Sequence, residues 1–443
     1  MEKVQGYDVV VIGGGPAGST AAAVLGGHGR RTLVVERADF PRFHIGESLM
    51  PETYWVFKRI GMLEKLRKSH FVKKYSVKFV TASGKESAPF YFDDLNPHEC
   101  SQTWQVLRSE FDQMMLENAE ERGATVWRKC NVVDILEEPS ASNTGRAECP
   151  PHPSGNDGAG ASSLPRVKGV VVQREDGTTV EVPAKVVVDA TGTNAMLSRR
   201  YKIRQPDPEL RKAGVFAHYK GAYRDPGARD EGATLVLAVP GVAGWFWYIP
   251  LPNDIVSIGV VAEIDYLLKN RGSPEKVLDE EIQRCTTVAK RLENAERVSP
   301  VHVISDYSYN SKVCAGDGWV LVGDAFTFLD PMYSSGVWLA LKSGELAGDA
   351  IHDALTAGDT SAARLSVWGD PFYAGVQAVR KMVYAFYSPD FSFGKFIRAH
   401  PEFKNNVTEV LIGDVFRPEV HKLFEPMGQY FPVPEDIRLE GAR

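Results

Sequence analysis

Residues 7–36 read YDVVVIGGGPAGSTAAAVLGGHGRRTLVVE, and this stretch decides the fold class. An apolar, β-branched run over Tyr7–Ile12 is followed by the glycine turn GGGPAG, an alanine-rich helical segment and a second apolar run that ends at Glu36. This order predicts a βαβ unit of about 30 residues that opens a Rossmann-like α/β domain.

The glycines of this unit follow the spacing Gly13-x-Gly15-x-x-Gly18. Gly13 permits the tight turn, Gly15 lets backbone N–H groups approach a pyrophosphate, and Gly18 lets the helix pack closely on the strand. The Glu36 carboxylate can accept hydrogen bonds from the ribose hydroxyls of an adenosine. A purely structural glycine turn is the alternative, but the flanking strands, helix and acidic residue favour dinucleotide binding.

Composition narrows the function classes further. The 443 residues are 43% hydrophobic and 24% charged, which is typical of a globular enzyme with two or three domain-sized units. The net charge of −6 argues against nucleic acid as a partner. The five cysteines form no CxxC pair, so we expect neither a disulfide framework nor a metal site. No signal peptide or apolar stretch of about 18 residues is visible, which predicts a cytoplasmic protein without contact to a membrane.

The pattern along the chain predicts that a second, antiparallel sheet is inserted into the dinucleotide-binding domain. Helices are expected over 51–70, 109–123, 338–357 and 363–387, and a hairpin at 167–182. The predicted divisions are 1–137, 167–200 and 311–358 for three parts of the FAD-binding domain, 138–166 for a long excursion poor in large apolar residues, 201–310 for the substrate-side sheet, and 359–443 for a helical C-terminal region.

Two further segments indicate where a flavin could be held. Arg108 follows a β-like run and precedes a helix, so it could bind a phosphate or the flavin edge, or it could be an ordinary solvated arginine. A buried strand ends in Gly323-Asp324, whose carboxylate can bond a ribityl hydroxyl. A helix that begins near Pro331 could then direct its N-terminus at the isoalloxazine.

Together the segments GGGPAG, FPRFHIGES (40–48), LRSEFD (107–112), DATG (189–192) and GDAFTFLDP (323–331) resemble the glutathione-reductase-like flavoproteins. This superfamily includes aromatic hydroxylases, geranylgeranyl reductases and flavin-dependent halogenases. The resemblance implies FAD as cofactor, bound by the residues Gly13, Gly15, Ala17, Gly18, Glu36, Arg42, Ser48, Arg108, Asp324, Pro331 and Val337.

The segment GWFWYIPL (244–251) resembles the W-x-W-x-I-P signature of the flavin-dependent halogenases. Membership implies that reduced FAD, O₂ and chloride or bromide yield hypohalous acid, which crosses an internal passage to a lysine beside an electron-rich ring. Trp245 and Trp247 would line the flavin side of the passage and keep the organic substrate away. An aromatic strand packed in a core is the alternative.

The resemblance also places the lysine and the halide. The family pattern F-x-x-K-x-G-x-x-F puts Lys74 in register, with Ser76 where the family usually has glycine. Lys73 and Lys78 are nearby alternatives, and strand alternation would direct Lys73 to the face opposite Lys74. Backbone N–H groups of Ser335 and Gly336 would bind the halide, unless this segment is an ordinary helix start.

One departure bears on the substrate. Tryptophan halogenases carry a glutamate where this chain has Tyr333, so the chain is more similar to halogenases of phenols or pyrroles, which are sometimes tethered to a carrier protein. Only one dinucleotide fingerprint is present, so we expect a separate flavin reductase to supply FADH₂. The aromatic stretch 385–396 could shape the substrate pocket or serve only packing.

Two other functions are compatible with the same scaffold. A flavin-dependent hydroxylase or reductase would not need Lys74 or halide. A FAD-binding protein that has lost its chemistry would need only the fingerprint, and the intact tryptophan and lysine positions argue against it.

Overall fold

The computed structural model describes residues 2–138 and 164–440. Its strands are, in chain order, β1 (Glu2–Lys3), β2 (Tyr7–Ile12), β3 (Thr32–Val35), β4 (Val72–Lys74), β5 (Ser76–Val80), β6 (Phe90–Tyr91), β7 (Thr103–Gln105), β8 (Thr125–Trp127), β9 (Asn131–Glu138), β10 (Arg166–Gln173), β11 (Thr179–Asp189), β12 (Arg204–Pro206), β13 (Lys212–Lys220), β14 (Thr234–Ala238), β15 (Trp245–Leu251), β16 (Ile255–Glu263), β17 (Glu296–Arg297), β18 (His302–Ser305), β19 (Tyr309–Ser311), β20 (Ala315–Gly316), β21 (Trp319–Leu321) and β22 (Thr327–Phe328).

The helices of the same residues are α1 (Pro16–Gly27), α2 (Thr53–Ile60), α3 (Leu63–Lys68), α4 (Arg108–Glu121), α5 (Met196–Arg200), α6 (Ile264–Leu268), α7 (Pro274–Arg284), α8 (Thr286–Arg291), α9 (Ser335–Ala357), α10 (Ala362–Leu365), α11 (Gly369–Tyr387), α12 (Phe393–Ala399), α13 (Lys404–Ile412), α14 (Pro418–His421) and α15 (Phe424–Met427). None of these helices is both long and apolar enough to pass through a bilayer.

The first sheet is the Rossmann-like core that residues 7–36 predict. Its order is β20-β21-β11-β2-β3-β8, and β21, β11, β2, β3 and β8 run parallel. Val9, Val10 and Val11 on the central β2 are fully buried, as expected for a strand covered on both faces. The dinucleotide turn therefore opens at the carboxyl edge of the sheet, where ligands of such folds bind.

The second sheet has the order β17-β13-β16-β15-β14-β5-β6, with β18 also paired to β13. Most of its strands lie within 201–310, and α7 and α8 contribute to its separate core. Two features were not predicted. The pair β14–β5 is parallel, and β5 and β6 come from the segment 1–137. The first segment of the chain thus contributes to both sheets.

Several predicted helices are shorter or divided. The helix expected over 51–70 is two helices, because Gly61 ends α2 in the left-handed region at φ 79°. The pattern at 363–387 divides into α10 and α11, and a 3₁₀ turn at Pro331–Tyr333 precedes α9, which begins at Ser335. The α-helix that we expected near Pro331 therefore begins four residues later.

The hairpin at 167–182 is confirmed, since β10 and β11 pair antiparallel. β11 continues past Pro183 into the parallel sheet, so one strand serves both the hairpin and the core. Of the excursion predicted over 138–166, residues 139–163 lie outside the described chain.

Candidate active site

The three glycines of the fingerprint have different surroundings. Gly13 has φ +104°, and an added Cβ would overlap the carbonyl oxygen of Ala190. A Cβ on Gly18 would overlap the carbonyl oxygen of Gly13, so this glycine serves packing. A Cβ on Gly15 would meet only Arg42 Nη2, at 3.5 Å, and would otherwise enter open space. Gly15 therefore leaves room for a ligand.

That open space is a cavity of about 840 Å³ between the two sheets. It extends from the fingerprint turn and the end of β3 to the tryptophans of β15. Neither Gly18, Ser335 nor Lys74 belongs to its lining among the described residues. The predicted site residues that do line it are Gly13, Gly15, Ala17, Glu36, Arg42, Ser48, Arg108, Trp245, Trp247, Asp324, Pro331, Gly336 and Val337.

Glu36 at the end of β3 is held by backbone donors. Its Oε2 accepts a hydrogen bond from Gly14 N at 2.7 Å, and its Oε1 accepts one from Ala38 N at 2.8 Å. Each carboxylate oxygen can accept more than one hydrogen bond, so capacity remains for the hydroxyls of a ribose. These bonds fix the carboxylate at the cavity wall.

Two arginines share one buried carboxylate beside the cavity. Arg108 Nε and Nη2 donate to the two oxygens of Asp112 at 2.7 and 3.0 Å, and Arg42 Nη1 lies 3.3 Å from Asp112 Oδ2. The predicted solvated alternative for Arg108 is wrong, since its side chain is 5% exposed. Across the cavity, burial raises the pKa of Asp324 to about 7, and the positive charge of Arg108 opposes this rise.

These groups fit FAD. The open space beside Gly15 could hold a pyrophosphate, and the two cavity-lining arginines would neutralise its charge. The N-terminus of α1 lies at the same place and adds positive potential. Glu36, predicted to bind the adenosine ribose, and Asp324, predicted to bind a ribityl hydroxyl, both line the same cavity.

The tryptophan signature forms the opposite wall. Trp245, Trp247 and Ile249 face the cavity, whereas Phe246 and Tyr248 belong to the core of the second sheet. This alternation is the period of two of a β-strand. Trp247 Nε1 donates to Ser257 Oγ at 3.1 Å, and the two indole rings lie 6.1 Å apart.

A residue that the sequence did not single out holds the first tryptophan. Trp245 Nε1 donates to the Tyr387 hydroxyl at 2.9 Å, and that hydroxyl donates to Asp330 Oδ2 at 3.1 Å. Burial raises the pKa of Asp330 to about 6, opposed by the Met332 N–H and the Tyr387 hydroxyl. Tyr387 is the last residue of α11 and belongs to the aromatic stretch 385–396, so the start of that stretch is bonded to the signature; its aromatic composition was the available signal.

The segment predicted to bind halide lies at the start of α9. Ser334 adopts the left-handed region at φ 58°, and Ser334, Gly336 and Val337 line the cavity. Ser335 is buried and does not line the cavity, so of the two residues predicted to bind halide only Gly336 lies at its wall. Tyr333 is buried, and its hydroxyl donates to Met382 O at 3.0 Å, so it supplies no acidic group to the cavity.

Lys74 is buried with only 2% of its surface exposed. Its ammonium donates to Ser48 Oγ at 2.8 Å and to Leu49 O at 3.1 Å, both neutral oxygens. Burial lowers the pKa of Lys74 to about 7. Because Ser48 also lines the cavity, the amine lies directly behind the cavity wall. A buried, perturbed lysine without a carboxylate partner is a candidate functional group.

The neighbouring lysines differ from Lys74. Lys73 is exposed, as strand alternation predicted. Lys78 Nζ lies 2.8 Å from Asp225 and 3.5 Å from Asp230. Burial opposes a charged Lys78, but the two aspartates raise its pKa above the usual value. Of these three lysines, only Lys74 is both buried and unpaired with an acid.

Comparison with known proteins identifies two families along the chain. A family described as FAD binding domain matches residues 6–147. A family described as Tryptophan halogenase matches residues 165–399, which is more than half of the chain.

Among curated proteins, the chain is 31% identical to a 1H-pyrrole-2-carbonyl-[peptidyl-carrier protein] chlorinase of Pseudomonas fluorescens, over 93% of this chain and 90% of the relative. It is also 31% identical to the corresponding brominase of Pseudoalteromonas luteoviolacea, over 94% of both chains. The sulochrin halogenase gedL of Aspergillus terreus is 34% identical, over 81% of this chain and 65% of the relative.

Solved structures agree with these relatives. The flavin-dependent brominase Bmp2 matches with a TM-score of 0.81 and 29% identity, over 96% of this chain and 99% of that chain. The chondrochloren halogenase CndH matches with a TM-score of 0.76 and 26% identity, over 99% and 100%.

Proposed function

The chain belongs to the flavin-dependent halogenases, which use reduced FAD, O₂ and a halide, and on this premise we propose that it halogenates a carrier-tethered pyrrole with Lys74 presenting the halogen. The observation that supports the role of Lys74 is its buried ammonium, bonded to neutral oxygens behind the cavity wall. A lysine kept for solubility or for an ion pair would not be buried in this way.

Bound reduced FAD supplies, with O₂, the oxidising power that converts halide to hypohalous acid. The protein's residues do the rest. Trp245 and Trp247 line the cavity and keep an aromatic substrate from entering it. The Lys74 ammonium donates a hydrogen bond to the oxidant and withdraws electron density from its oxygen, which favours electrophilic attack by an electron-rich ring. Enclosure keeps water and the oxidant apart.

The share of each relative's length that the chain covers supports a pyrrole as the substrate. The chain spans 90% and 94% of the two carrier-protein pyrrole halogenases, but 65% of the sulochrin halogenase. Tyr333, bonded to a backbone carbonyl, supplies no second acid beside the ring. A free phenol therefore remains the second candidate, because its own hydroxyl activates the ring.

The substrate assignment predicts products of defined mass. Purified enzyme with FAD, NADH, O₂, bromide and an added flavin reductase is expected to brominate pyrrole-2-carbonyl bound to a carrier protein, read by mass spectrometry. Omission of the reductase is expected to remove the product, because a separate reductase is part of the proposal. Bromination of free phenols with no reaction on the carrier-bound pyrrole would contradict the substrate class, and hydroxylated products would contradict halogenation.

The low pKa of Lys74 predicts a pH dependence. If the ammonium is the working form, halogen transfer declines as the pH rises through about 7, because the proton is lost there rather than near 10.5. The measurement is halogenated product per oxidant formed, followed from about pH 6 to about pH 9. A constant ratio over that range would contradict a role for the charged amine.

A further inference from the structure

Ser48 has contacts on both sides of the wall between the cavity and Lys74. Ser48 lines the cavity, and its hydroxyl oxygen accepts a hydrogen bond from Lys74 Nζ at 2.8 Å. Ser48 itself is 3% exposed. The side chain predicted to bind FAD is thus also the first partner of the proposed catalytic amine.

A second hydroxyl completes this wall. Thr234, the first residue of β14, lines the cavity, and its Oγ1 lies 3.1 Å from Ser48 Oγ. Gln105 Nε2 donates to Thr234 Oγ1 at 2.8 Å and to Gly232 O at 3.0 Å. Since a carbonyl can only accept, the amide nitrogen of Gln105 is fixed as the donor on this side.

The hydrogens of this network can be counted. The hydroxyls of Ser48 and Thr234 carry two hydrogens, and the bond between them uses one. Lys74 Nζ and Gln105 Nε2 both donate into the pair, so neither of these two atoms accepts the second hydrogen. Within residues 2–138 and 164–440, that hydrogen has no recorded acceptor. The Lys74 ammonium has three N–H groups, of which two donate to oxygens; the third has no oxygen or nitrogen acceptor within the same residues, where the ammonium also lies 5.5 Å from the centre of the Phe92 ring.

We propose that Ser48 and Thr234 form a hydroxyl pair through which hypohalous acid passes from the cofactor cavity to Lys74. The spare hydroxyl hydrogen binds the oxygen of the oxidant at the cavity wall, and the spare ammonium hydrogen binds it next. Gln105 orients Thr234, and Ser48 orients the amine. The inference rests on the proposed role of Lys74. It makes Ser48 and Thr234 residues that contact the oxidant, and Gln105 a positioning residue.

The first test follows the fate of the oxidant. Thr234→Val removes the hydroxyl at nearly constant volume, and Ser48→Ala removes the acceptor of Lys74. Each is expected to raise about 10-fold the ratio of oxidant trapped in solution by monochlorodimedone to halogenated substrate, the size expected for one lost hydrogen bond. Thr234→Ser keeps the hydroxyl and is expected to restore the wild-type ratio. Thr408→Val, at a buried threonine of α13, is the matched control.

The second test needs no bound flavin. In protein labelled with ¹³C at the lysine ε-carbon, the Lys74 resonance is identified by its loss in Lys74→Met, and its pKa is read by titration. Ser48→Ala is expected to lower that pKa by about one unit, because the lost acceptor stabilises the charged form. Thr234→Val acts through Ser48 and is expected to cause a smaller fall.

The outcomes separate this inference from the proposed function. If Lys74→Met halogenates like the wild type, the proposed function fails. If Lys74 is required but Ser48→Ala and Thr234→Val keep the wild-type ratio and the wild-type pKa of Lys74, the hydroxyl pair is not the route and only the inference is overturned.

Discussion

Replacement of Lys74 by methionine is expected to abolish halogenation of the substrate and, at the same time, to stabilise the fold. The amine is buried without an acid, so at neutral pH the folded state binds fewer protons at this site than the unfolded state. Burial of the amine therefore lowers the free energy of unfolding, and its replacement by methionine removes this penalty. After the unpaired Ser48 hydroxyl is allowed for, the free energy of unfolding at pH 7 is expected to rise by about 1–3 kcal/mol.

The gain in stability should depend on pH in a defined direction. It is largest at and below about pH 7, and it shrinks as the pH rises toward 10.5, where the unfolded lysine also loses its proton. Urea unfolding of wild type and variant at several pH values measures it. Product mass in a reaction with reduced FAD measures the loss of activity.

Lys78→Met is the matched control for this prediction. Lys78 lies four residues away and is paired with Asp225 and Asp230. Its loss removes one cation from two half-buried carboxylates, although Arg291 still pairs with Asp225, so this variant is expected to be less stable and to retain halogenation. A Lys74→Met variant that halogenates at the wild-type rate would end the proposed role of the amine.

Gly15→Val is expected to abolish FAD binding while the fold persists. The branched side chain would extend into the cavity at the place of the pyrophosphate, and backbone N–H groups of the turn could no longer reach the phosphates. Loss of two charge-assisted hydrogen bonds corresponds to at least about 3 kcal/mol, or a 100-fold weaker affinity. Quenching of flavin fluorescence on titration measures the affinity, and circular dichroism measures the fold.

Gly18→Val provides the contrast, since both glycines belong to one motif. A side chain at Gly18 would overlap the carbonyl oxygen of Gly13 and touch Val11. This variant is expected to lose the fold of the first sheet together with flavin binding. If Gly15→Val quenches flavin fluorescence like the wild type, the cavity beside that glycine does not hold the pyrophosphate.

Local sequence patterns were sufficient to predict the first sheet. Residues 7–36 carry the strand, turn and helix signals in adjacent positions, so their structure follows from nearby residues. The contribution of β5 and β6 to the second sheet could not be predicted in this way. The partner of β5 is β14, more than 150 residues away, and no local signal specifies such a pairing.

The candidate site could also be predicted from the sequence only in part. Resemblance to a family pattern indicated Lys74, but its burial and its neutral partners depend on segments that are distant in sequence. Thr234 begins the apolar strand β14 and Gln105 ends the short strand β7, and their sequence context does not distinguish them from other polar residues. Tyr387 could be expected near the substrate but not bonded to Trp245.

The parallel pair β5–β14 joins the proposed catalytic amine to the inserted sheet. Lys74 ends the strand before β5, Thr234 begins β14, and Ser48 and Leu49 accept the hydrogen bonds of the ammonium, so the amine's environment is assembled from three parts of the chain. Exchange of residues 201–310 alone between two halogenases would therefore transplant only one part of that environment. A chimaera designed to inherit a donor's regiochemistry has to import 48–105 as well.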